Sequence, residues 1–174
     1  MYFSKLAVIL SVATSALAAT TGTEAAQKQK RALTFQTYND FQISSGTAGN
    51  ALAEAQAAFP VSSDLASVSD SDLAIIKAAR ETAEAAETDA FNDAVDAASG
   101  DAATALQNGK IKNKVLKLYL ETTALQIEQA QGDDNQDKID AEQKKLDTNV
   151  ALDEKAAGED STAVSFTDDV QPDN

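Results

Sequence analysis

From residue 32 onward, apolar side chains recur at steps of three and four rather than alternating with polar ones, so the pattern predicts helices and no strands. The stripe Tyr38, Phe41, Ser45, Ala48, Leu52, Ala55, Phe59 predicts a first helix from about Phe35 to Phe59. Pro60 stops it, because the residue before a proline is driven out of the α region. Ser44-Ser45-Gly46 and Gly49 weaken its middle, since a glycine inside a helix costs about 1 kcal/mol relative to alanine. A kink or break would fall there.

The second helix has the clearest start. Ser69 stands as N-cap with Asp72 three residues on, and Val68 and Leu73 occupy the two staple positions, so the helix is expected to begin at Asp70. Its inner face, Leu73, Ile76, Ala79, Ala83, Ala86, Ala90, Ala94 and Ala97 with Phe91 beside it, is made mostly of methyl groups, with Glu81, Glu84, Glu87 and Asp89 outside. Ser99-Gly100 ends it, the glycine standing where a left-handed residue belongs. A short helical turn is expected over residues 101–107, interrupted or capped by Asn108-Gly109.

The strongest apolar segment follows, from Lys110 to Gln131. Ile111, Val115, Leu118, Thr122 and Leu125 form one line, and Leu116, Leu120, Thr123 and Ile127 form a second, rotated by about 140°. Asn113, Lys114, Lys117, Glu121 and Glu128 are left as a polar strip, so this helix should be the most buried. Gly132 closes it. Asp133 and Gln136 then open a last helix from about Asp134 to Ala157, whose thin stripe, Ile139, Leu146, Val150 and Leu152, suits an outer helix. After Gly158 the acidic tail 159–174 has no period and is expected to be disordered, with Val164 and Phe166 as its contacts to the helices.

These segments predict an all-α fold, an up-down-up-down four-helix bundle over residues 32–158 with a short extra turn near 101–107. The alanines at 79, 83, 86, 90 and 94 are expected to face Ile111, Val115, Leu118 and Leu125, small against large, giving a filled core.

The N-terminus changes the picture. Met1 to Lys5 is short and singly basic, and Leu6 to Ala13 is an apolar run too short to span a bilayer. Small residues follow at Ala18 and Ala19, so residues 1–19 are expected to be a signal peptide cleaved after one of these two. Residues 20–31 carry no apolar period and end at Lys30-Arg31, which reads as a pro-segment removed by a protease that recognises a double cation. Loss of residues 1–31 removes four of the 14 basic residues and one of the 28 acidic ones, leaving ten against 27. Such a charge repels phosphate backbones and anionic lipid, so no nucleic-acid partner is expected, nor any membrane span.

The sequence holds no cysteine, histidine or tryptophan. Without imidazole or thiolate, nucleophilic catalysis of the Ser-His or Cys-His kind is excluded, and no enzymatic activity, cofactor or metal is expected. Glu81, Glu84 and Glu87 are spaced along a solvated face beside Lys77 and Arg80, which does not imply a carboxylate cleft. Asp133-Asp134-Asn135-Gln136-Asp137 fails as a calcium loop because Lys138 stands where the sixth-position glycine is required.

Through Phe41-Gln-Ile-Ser-Ser-Gly-Thr-Ala-Gly-Asn-Ala-Leu-Ala-Glu-Ala55, Ile75-Ile-Lys-Ala-Ala-Arg-Glu-Thr-Ala-Glu-Ala-Ala-Glu87 and Leu106-Gln-Asn-Gly-Lys-Ile-Lys-Asn-Lys-Val-Leu-Lys-Leu118, the chain resembles an Ala-rich, cysteine-free family of fungal small secreted proteins with no assigned activity. It is more loosely similar in architecture to hydrophobic-surface-binding proteins and cell-wall galactomannoproteins. The resemblance implies a secreted, extracellular protein. Two functions stay open: an interaction protein whose partner is an extracellular protein, a cell-wall component or a host component, and a carrier of fatty acids or other apolar ligands within the bundle.

Overall fold

The computed structural model describes residues 33–173, which belong to one compact unit whose limit falls between Lys30 and Arg31. The signal-peptide and pro-segment expectations lie outside the described residues. Within them the chain is mostly helical, with one two-stranded sheet.

The expected helix over Phe35–Phe59 is replaced by two short ones, α1 (Tyr38–Phe41) and α2 (Ala51–Ala58), with strand β1 (Gly46–Thr47) between them. The tail competes for this backbone. Strand β2 (Asp160–Ser161) pairs antiparallel with β1, and the Gly158 and Glu159 backbone brackets Ala48. From the other side the Lys112 ammonium donates to the carbonyls of Ser45 at 2.9 Å and Thr47 at 3.1 Å. Breaking the helix takes from those carbonyls their intrahelical donors, and the ammonium replaces them. Five residues of the stripe, Tyr38, Phe41, Ala48, Ala55 and Phe59, are nevertheless in the core, whereas Leu52 is half-buried and Ser45 is exposed.

A 3₁₀ turn (Leu65–Ser67) leads into α3 (Asp70–Ala86), which starts where expected: the Asp72 N–H donates to the Ser69 hydroxyl. A π-helical turn (Glu87–Phe91) then joins α3 to α4 (Asn92–Ala97). Phe91 lies five positions on from Ala86, and in a straight α-helix that step would swing it about 140° off the inner face. The wider turn keeps both residues fully buried, while Ala90 and Ala94 are only half-buried.

Helix α5 (Gly100–Gln131) is one uninterrupted helix of 32 residues, so the separate turn over 101–107 is not formed. Asn108-Gly109 is no cap. A Cβ at Gly109 would overlap the Thr162 carbonyl oxygen, so the glycine admits the tail backbone, and the Asn108 amide donates to the Asp160 carbonyl at 3.0 Å. After Gly132, at φ +122°, helix α6 (Gln136–Lys155) starts two residues later than expected.

Helix α5 is central, and its two apolar lines face different neighbours. Leu116, Leu120 and Ile127 pack with Ile76, Ala79, Ala83 and Ala86 of α3 and the aromatics of the N-terminal segment. Val115 and Leu118 pack with Ala51 of α2 and Leu146 of α6. The alanine face of α3 therefore meets the second line, not the first. Asn113, expected on the polar strip, is fully buried, because the Tyr38 hydroxyl and the Ala83 carbonyl both bond its amide. On α6, Ile139 and Leu146 are buried, whereas Leu152 is exposed.

The tail is ordered over the described residues, against expectation. Phe166 meets Tyr38 edge-on at 5.9 Å, the Asp169 carboxylate accepts the Tyr38 N–H at 2.6 Å, and the Val170 N–H donates to the Thr82 hydroxyl at 2.9 Å. The Asp169 contact satisfies the Tyr38 N–H, a donor at the start of α1 that no local cap reaches.

Candidate functional site

The space beneath Phe35, bounded by Phe41, Phe59, Ile75, Ala79 and Thr82, has a volume of only about 10 Å³. That is no more than one water, whereas small-molecule sites run from about 300 Å³. Two spaces large enough for a ligand lie on the surface, along two sides of α3.

The first is a groove of about 420 Å³ between α3, α5 and α6, lined by Arg80, Glu84, Lys114, Lys117, Leu118, Glu121, Glu142, Lys145 and Asn149. Lys114 and Lys117 lie on α5 one turn apart, and both reach Glu87, the first residue of the π turn, at 3.4 and 2.7 Å. Lys117 also meets Glu84 at 3.1 Å, Arg80 meets Glu121 at 2.8 Å, and Lys145 meets Glu142 at 2.7 Å. Each cation in this groove is met by a carboxylate, with Glu87 shared between Lys114 and Lys117.

Of the pairs in this groove, Glu87 and Lys117 are the most buried on both sides. Burial of Glu87 works to raise its pKa, but the ammonium groups of Lys117 and Lys114 outweigh it and hold the carboxyl below its ordinary value. For Lys117, burial works to lower the pKa, and Glu87 with Glu84 outweighs that and holds the ammonium above its ordinary value. Both shifts favour the charged forms, so the pair is a fixed strut.

The second groove, of about 330 Å³, runs between α3 and the C-terminal segment. Leu73, Ala74, Ala78 and Val170 give it an apolar floor, and Asp70, Glu81 and Asp173 stand around it. Its one cation, Lys77, is held by Glu128 of α5. Order in the tail creates this groove, since Val170 is fixed by its bond to Thr82.

Of the residues singled out from sequence, Ala18, Ala19, Lys30 and Arg31 lie outside the described residues. Lys114, Lys117 and Glu121 of the expected polar strip are brought together with Arg80 and Glu84. The second groove left no sequence signal, because one wall of it comes from the tail. Among the described residues no group of three or more acidic side chains is placed to hold a metal ion, and no helix is long and apolar enough to cross a membrane.

Residues 33–165 match the model of a family described as a domain of unknown function (DUF8454), and the chain belongs to that family. No curated protein and no solved structure matches the chain.

Proposed function

We propose that this chain is a secreted, non-enzymatic helical protein that acts by contact, binding an extracellular protein or a cell-wall or host component. Its arrangement, in this reading, is an up-down-up-down bundle in which α2 stands as the shortened first helix. The observation that carries the reading is the packed interior: Ala79, Ala83 and Ala86 cluster with Leu116, Leu120 and Ile127, while two grooves of ligand size lie on the surface. The alternative, a carrier of fatty acids within the bundle, needs an apolar cavity of about 300 Å³ or more, and the close packing of α3 against α5 together with the charged rims of the two grooves weighs against it.

Export rests on the sequence of residues 1–31, with cleavage after Ala18 or Ala19 and again after Arg31. The second cut is supported by Leu33, two residues past Arg31, which is already tied to the fold through its N–H bond to Asp72. Similarity to fungal small secreted proteins supports the same location. Intact mass spectrometry of the native protein recovered from culture medium tests both points. A chain beginning at Ala32 with no lipid adduct is expected, and a protein confined to cells, or one carrying a fatty acid, would overturn the reading.

A further inference from the structure

The two grooves beside α3 differ in how their charge is balanced. In the α3–α5–α6 groove Arg80, Lys114, Lys117 and Lys145 are neutralised by Glu84, Glu87, Glu121 and Glu142, so an incoming ion would have to displace a partner already in place. In the groove beside the tail, Asp70, Glu81 and Asp173 outnumber Lys77, which is engaged with Glu128, and Arg80 turns toward Glu121 at 2.8 Å, reaching Glu81 only at 3.3 Å. This groove keeps unbalanced negative charge over an apolar floor.

We infer that it receives a basic, amphipathic stretch of a partner polypeptide, with a lysine or arginine head among Asp70, Glu81 and Asp173 and its alkyl stem on Leu73, Ala74 and Val170. A long cationic side chain combines the two things the groove offers, a methylene stem for the floor and a charge for the rim. At about 330 Å³ the space is at the small end for a ligand, which fits side chains better than a bulky molecule. The field of the whole molecule acts in the same sense: with 28 acidic against 14 basic residues, the chain draws cationic partners inward and repels anionic ones. The inference rests on the contact reading above and names the partner's chemistry.

Two blocked peptides, one repeating Leu-Lys-Ala and the other Leu-Glu-Ala, serve as probes in calorimetric titrations of the full chain at low salt. The lysine peptide should bind saturably and the glutamate peptide should not. The double variant Glu81→Gln, Asp173→Asn should weaken binding about five-fold or more, as expected for losing two exposed charge contacts. Ala74→Leu, which fills the floor, should weaken it without altering the charge. Lys145→Gln in the other groove should leave the affinity unchanged, and circular dichroism confirms that each variant is folded. Equal binding of the two peptides, no binding of either, or an affinity that follows Lys145 rather than Glu81 and Asp173 would overturn the inference. If it fails while the recovered protein begins at Ala32 and carries no lipid, this groove alone is excluded and the contact reading stands.

Discussion

The Tyr38 hydroxyl donates a 2.8 Å hydrogen bond to Oδ1 of Asn113, two fully buried groups 75 residues apart in the chain. The same amide donates from Nδ2 to the Ala83 carbonyl at 2.8 Å, so one side chain of α5 fastens α1 and α3 together. Burial pushes the tyrosine pKa well up, which keeps the phenol protonated as the donor.

Replacing Asn113 by alanine strands the Tyr38 hydroxyl in the core, which is expected to cost about 1 to 3 kcal/mol. Tyr38→Phe strands the amide oxygen instead. In urea titrations the double variant should cost less than the two singles together, by about 0.5 to 3 kcal/mol. Additive losses would mean that the bond contributes nothing specific.

Lys112 is fully buried, and its ammonium donates to the Ser45 and Thr47 carbonyls and meets Glu54 at 2.8 Å. The partners differ in their access to water, Glu54 being 37% exposed. Lys112→Met should therefore cost about 1 to 3 kcal/mol by orphaning the two carbonyls, whereas Glu54→Gln should cost less than about 1 kcal/mol. Chemical denaturation of both variants checks the asymmetry. Equal losses would place the stability in the ion pair rather than in the carbonyl contacts.

The Glu87–Lys117 strut fixes a pH window. Glu87 is held below its ordinary 4.5 in the folded chain, so its contribution is present above that value and is lost as the pH falls past it. Lys117 is held above its ordinary 10.5, so its contribution is present below that value and is lost as the pH rises past it. The melting temperature of Lys117→Met should lie below that of the parent by a constant gap across neutral pH, and the gap should close in acid below 4.5. A gap unchanged in acid would show that the loss came from packing of the lysine stem.

What the sequence revealed was largely local. The start of α3 was legible because Ser69 and Asp72 cap it within a single turn, and the two lines of α5 were legible because a helix presents fixed angles. Which line met the alanines was not, since that depends on how α3 turns about its axis. The Asn108-Gly109 pair misled because glycine serves a turn and a close backbone approach equally well; only the position of Thr162 distinguishes the two. The site of the break in the first helix was legible in Ser44-Ser45-Gly46 and Gly49, but the strand formed there and the order of the tail were hidden for one reason: each depends on the other, through strand pairing between Thr47 and Asp160 more than 100 residues apart. The second groove shares that origin, with one wall on α3 and the other at Val170.

The filled core carries the functional reading, and Ala83 tests it most directly, because its methyl group is fully buried among the large side chains of α5 and its carbonyl is held by Asn113. Overpacking a filled core typically costs about 1 to 3 kcal/mol, whereas the same side chain placed in a cavity fills it and stabilises. Thermal melts of Ala83→Leu, run beside a fatty-acid titration of the parent, therefore give results of opposite sign. A destabilised variant and no saturable lipid signal are the results this account predicts; a stabilised variant with saturable fatty-acid binding would contradict it and make the chain a carrier.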